Sequence, residues 1–160
     1  MNLPDGIEDL VESREKLTAF FGAWPCFHDA EVIALQLWLG HIFPGDWDDR
    51  NVFPVLTVKI RVLEATQPAA NHAGDDVLVT FRFHDVDDFK IQDFNHVNQI
   101  VGLSVAKRAR GKFTTGADLP PDLVVTFEPG FGMSSSFRCS RIEVADAERE
   151  TPGLADLSRP

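Results

Sequence analysis

Beyond Pro25 an apolar residue recurs at every second position, and this period limits the fold more than any other feature of the sequence. Such alternation places apolar and polar side chains on opposite sides of an extended strand. It is clearest in residues 31–39, 55–63 and 77–83, where polar residues such as Lys59 separate the apolar ones. These three segments are predicted strands of a sheet with one buried face.

The second half of the chain continues this period, with two ambiguous places. Residues 100–107 fit either a strand or a helix that begins near Asn95, and their glycine and β-branched residues favour the strand. A turn is predicted at residues 128–130. Within residues 136–144 the apolar positions change phase, which predicts a β-bulge near Ser140.

Only residues 4–24 carry a helical period. Asp5 is the predicted N-cap, with Glu8 three residues later, as in a capping box. Gly22, followed by Pro25, is the expected end of the helix.

Length and composition are those of one globular domain. The chain has 160 residues, 44% of them hydrophobic, which is enough to bury a substantial core. We predict an α+β fold in which the N-terminal helix packs on a mainly antiparallel sheet or sandwich of about six strands. This domain spans residues 1–150, and residues 151–160, with two prolines and no period, form a flexible C-terminal tail.

The charge of the chain favours some partners over others. Its formal net charge of -10 argues against nucleic acid, which is bound mostly by Lys and Arg, and suits a basic protein partner.

No run approaches the roughly 18 apolar residues that span a bilayer, so no membrane association is expected. Residues 1–5 lack the pattern of a signal peptide, so we expect a cytoplasmic protein in which Cys26 and Cys139 are reduced and buried.

One loop combines an aromatic residue with several carboxylates. Protein interfaces often use an aromatic anchor beside complementary charge, and long loops are often functional. The predicted partner-binding residues are Asp46, Trp47, Asp48 and Asp49. The alternative is that Trp47 folds back over the edge of the sheet.

A second group of polar residues has the donor types of a divalent-cation site. Its members are His28, Asp29, Glu31, His84 and His96. If they converged, they would support a metal-assisted hydrolase. Nothing in their spacing brings the segments together, and histidines at the surface or at strand ends are the alternative interpretation.

Three short segments resemble a known bacterial family. These are residues 24–32, residues 93–100, and the Gly130-Phe131-Gly132 turn with residues 137–139 before the last strand. Together they resemble the immunity proteins of polymorphic toxin systems, in the class numbered fifty. The resemblance implies a small, mostly β protein that binds and neutralises a cognate toxin without catalysis of its own. No cofactor is expected. It assigns no partner-contacting residue.

The sequence therefore favours a non-enzymatic protein-binding module whose acidic surface speeds its encounter with a basic partner. The metal-assisted hydrolase is the first alternative. A structural subunit of a homo-oligomer is the second.

Overall fold

Extended strands make up most of the structure. A computed structural model describes residues 7–41, 52–63 and 76–150, which form one sheet of nine strands. The strands are β1 Val11–Glu12, β2 Glu31–His41, β3 Val52–Val62, β4 Val77–His84, β5 Asp87–Gln92, β6 Gln99–Arg108, β7 Asp122–Phe131, β8 Ser134–Cys139 and β9 Arg141–Arg149. Their order in the sheet is β1-β9-β4-β3-β2-β6-β7-β8-β5. Neighbours are antiparallel except for β1, which runs parallel to β9.

The α+β prediction is wrong, because helix contributes little to the described part of the chain. One α-helix, α1, spans Glu15–Phe21, and a single 3-10 turn spans Glu8–Leu10. Between them Ser13 has a left-handed φ of 58°, which interrupts the helix, and β1 extends to pair with β9. Gly22 ends α1 with a φ of 73°, as expected. The predicted N-cap Asp5 lies outside the described residues, as does the predicted tail 151–160.

The prediction of about six strands is also wrong, for identifiable reasons. The strand predicted over residues 100–107 is confirmed as β6. Residues 136–144 are instead two strands, β8 and β9, because Ser140 is a bend and not a bulge. The phase changes there because β8 pairs with β7 and β5, whereas β9 pairs with β4 and β1. The turn predicted at residues 128–130 is also misplaced, since β7 continues to Phe131 and the chain turns at Gly132.

The sheet divides into two half-sheets that fold over each other. Between β2 and β6 the only register pair is Glu31 with Gln99, so β1-β9-β4-β3-β2 and β6-β7-β8-β5 are joined at one point. Phe83 on β4 and Phe137 on β8 are five strands apart in the sheet order, which would separate them by about 24 Å in a flat sheet. Their ring centroids are 4.9 Å apart. The core therefore lies between the half-sheets.

Candidate functional site

The predicted partner-binding loop falls outside the described residues. Asp46, Trp47, Asp48 and Asp49 belong to residues 42–51, which connect β2 to β3 along the chain. Their role as contact residues stays a prediction.

The polar group suggested by the sequence is not brought together as one site. His28 Nδ1 lies 3.0 Å from Asp29 Oδ2, and His96 is exposed in the connection between β5 and β6. Glu31 accepts a 2.8 Å hydrogen bond from Arg61 Nη1. Across the sheet, Glu31 pairs with Arg61 and Arg61 pairs with Leu78.

His84 lies six residues beyond Leu78 on β4, or about 20 Å farther along the strand, so it is remote from Glu31. The His84 side chain is buried, and its Nε2 lies 3.2 Å from Glu143 Oε1. Neither ring nitrogen makes a hydrogen bond to another described residue. Glu143 Oε2 is also 2.9 Å from Arg141 Nη2.

Within residues 7–41, 52–63 and 76–150, no three His, Cys, Asp or Glu side chains are grouped so that they could hold a metal ion.

A different site forms where the half-sheets join. There Asp29 N donates to Ile100 O at 2.9 Å, and Ile100 N donates to Ala30 O at 2.8 Å. Gln99 is the register partner of both Glu31 on β2 and Phe131 on β7. The junction therefore brings together residues 29–32, 98–100 and 131.

Side-chain amides fix the loop between β5 and β6 without regular secondary structure. Asn98 Oδ1 accepts from Asn95 N at 2.8 Å, and Asn98 Nδ2 donates to Asn95 O at 2.6 Å. Asn95 Oδ1 in turn accepts from Val97 N at 2.9 Å. Short polar side chains that bond to nearby backbone groups stabilise turns in this way. Asn98 is itself buried, so the loop has a defined conformation at the junction.

The turn between β7 and β8 packs directly on this loop. Gly132 has a φ of 76°, and a Cβ at this position would overlap the carbonyl oxygen of Val97. At Gly130 a Cβ would lie 3.2 Å from Val101 Cγ1. The two glycines thus let the turn approach both Val97 on the loop and Val101 on β6.

Four apolar side chains on the segments that meet here are exposed. Phe131 is 67% exposed, Phe94 47%, and Val97 and Val101 41% each. We call these four residues the junction patch. Exposed apolar side chains that come from neighbouring backbone segments are more informative than scattered ones, because they can form one interaction surface. The patch is bordered by carboxylates, because Asp29 pairs with the Gln99 side chain, Asp93 precedes Phe94, and Glu128 lies beside Gly102.

The sequence did not identify the junction patch, because its residues come from three segments and none belongs to a catalytic or metal-binding motif. The available signal was Phe131, a large apolar residue between two glycines in a polar turn. Its position beside the β5–β6 loop depends on the packing of Gly132 against that loop, which sequence alone does not specify.

Comparison with known proteins adds no relative. No protein-family model matches the chain, and searches of curated proteins and of solved structures found no significant match. In the described part of the chain no helix is long and apolar enough to cross a membrane.

Proposed function

We propose that this protein is a non-enzymatic protein-binding module and that the junction patch is its contact surface. The observation that carries the proposal is the exposure of Phe94, Val97, Val101 and Phe131 around a loop held by the Asn95 and Asn98 side chains. A prearranged surface loses little conformational entropy on binding, and aromatic side chains are frequent energetic centres of interfaces. Both properties favour recognition of a protein.

The negative charge of the chain favours a partner whose binding surface carries basic residues around its edge. The chain carries a formal net charge of -10, and Asp29, Asp93 and Glu128 border the patch. A basic partner would be attracted over long range and would meet these carboxylates around the apolar centre. The resemblance to immunity proteins suggests a specific form of the proposal, in which the partner is a bacterial toxin neutralised in the cytoplasm.

The test uses the product of the gene adjacent to that of this protein, because immunity proteins are expected beside their toxins. We expect binding in titration calorimetry, and we expect Phe131→Ser to weaken it by more than about 1 kcal/mol, or about fivefold in Kd, as interface anchors do. Thermal unfolding should be nearly unchanged, because Phe131 is 67% exposed.

A matched control is available in Phe113. This phenylalanine is 51% exposed and lies beyond the far end of β6, which is about 30 Å long. Phe113→Ser should leave the affinity at the wild-type value. Equal affinities for wild type, Phe131→Ser and a Phe94→Ser, Phe131→Ser double variant would exclude the patch as the contact surface. Absence of binding by the adjacent gene product would remove the toxin-immunity form of the proposal.

A further inference from the structure

Strand β2 has one open edge along most of its length. It pairs with β3 from Glu31 to His41, but on its other side the register with β6 includes Glu31 alone. The last hydrogen bond on that side joins Val32 N to Asn98 O at 2.9 Å. From Ile33 to His41, no strand of the described chain lies along this edge. Within the described residues, the backbone N–H and C=O groups on this side form no further ladder, as at the free edge of a sheet.

The open edge exposes apolar side chains on both faces of the sheet. Leu39 is 70% exposed, Leu37 51% and Trp38 39%. Trp38 lies over Gly40, where a Cβ would overlap its ring, and Trp38 Nε1 donates to Thr57 Oγ1 at 3.2 Å. By alternation, Leu37 and Leu39 lie on the opposite face. An added strand would cover apolar surface on both sides.

The absence of charged residues from most of β2 indicates what kind of strand could pair with its open edge. Natural edge strands are usually protected by charged residues, yet residues 32–40 contain none, in a chain with a net charge of -10. A basic partner would find no carboxylate in this stretch. A second copy, in contrast, can approach here without placing like charges opposite each other.

We propose that β2 pairs antiparallel with β2 of a second copy and so forms a two-fold symmetric dimer. In such a pair a two-fold axis perpendicular to the sheet sets one residue opposite itself and pairs its neighbours reciprocally. With the axis at Trp38, Leu37 of each copy faces Leu39 of the other. The strand is thus complementary to itself, and the inference is independent of the junction patch.

Sedimentation of the full chain at micromolar concentration tests the dimer. The wild type should sediment as a dimer, and Leu39→Lys should raise the dissociation constant by at least about tenfold, because symmetry places two lysines in the apolar contact. Phe113→Lys is the matched control, since it adds the same charge at another exposed apolar residue and should leave the dimer intact. Thermal unfolding of Phe113→Lys should stay close to wild type, because Phe113 is half exposed. Leu39→Lys should unfold at the temperature of wild type diluted until it dissociates, because it loses only the stabilisation that dimerisation provides.

Amide hydrogen exchange locates the contact. Protection of amides within residues 33–41 should increase with protein concentration in the wild type and not in Leu39→Lys. A monomeric wild type, or a dimer unaffected by Leu39→Lys, would overturn the proposal. Phe131→Ser should leave the dimer intact, so failure of the dimer and failure of the proposed binding function would be distinguishable.

Discussion

Burial of Cys139 on β8 raises the pKa of its thiol to about 12, chiefly because the core does not solvate a thiolate. A thiol in water titrates near pH 8.5. Between these values the folded protein keeps a proton that the unfolded chain loses. The stabilisation is therefore complete below about pH 8.5 and declines as the pH rises toward the pKa of the folded state.

This difference predicts an alkaline loss of stability that depends on one residue. Above about pH 9 the free energy of unfolding of the wild type should fall more steeply than that of Cys139→Ala, by up to about 1.4 kcal/mol per pH unit. Urea unfolding of both proteins across this range measures the two slopes. The chain has no tyrosine, and its lysines are common to both proteins, so they cancel in the comparison. Parallel pH profiles would show that Cys139 ionises normally in the folded state.

At the scale of elements, the β7–β8 turn and the β5–β6 loop depend on each other through Gly132. Replacement by alanine introduces a left-handed backbone penalty of about 1 kcal/mol and also a Cβ that overlaps the Val97 carbonyl oxygen. We expect Gly132→Ala to lower the free energy of unfolding by more than about 2 kcal/mol in urea titrations.

Gly116 separates these two contributions. It has a φ of 88°, but a Cβ there would meet no atom within 4 Å, so Gly116→Ala should cost only the backbone penalty of about 1 kcal/mol. Equal losses for the two variants would mean that the loop yields without cost. That result would contradict the close packing of the β7–β8 turn on the β5–β6 loop.

Elements were predictable where burial imposes alternation. Strands β3 and β4 bury nearly every second residue, and their period was readable in the sequence. Strand β5 was expected only as a short segment over residues 89–94, with displaced bounds, because almost all of its residues are exposed and leave no clear period. Strand β1 was not predicted, because its two residues are too few for a period. The junction patch was not predicted because it depends on contacts between distant segments. The polar group that includes His84 was suggested as one site by residue type alone. Residue type does not show that His84 lies at the far end of β4, away from Glu31.

At the scale of the whole molecule, closure of the two half-sheets depends on aromatic contacts across the core. Phe83 on β4 contacts Phe127 on β7 and Phe137 on β8, with centroid distances of 6.2 Å and 4.9 Å. The hydrogen-bonded connection between β2 and β6 is short, so packing must keep the half-sheets together. Edge-to-face pairs such as Phe83 with Phe137 contribute about 0.5–1.5 kcal/mol beyond the burial of their area.

A double-mutant cycle tests this closure. Phe83→Leu and Phe137→Leu should each destabilise the protein in urea titrations, and the double variant should lose less than the sum by about 0.5–1.5 kcal/mol, because the second substitution removes a contact already lost. Phe27 provides the matched control. It contacts Trp24 and Phe81, and no ring contact within the described residues joins it to Phe137. Phe27→Leu and Phe137→Leu should therefore add to within about 0.5 kcal/mol. Additivity of Phe83→Leu with Phe137→Leu would mean that the half-sheets do not close through this pair.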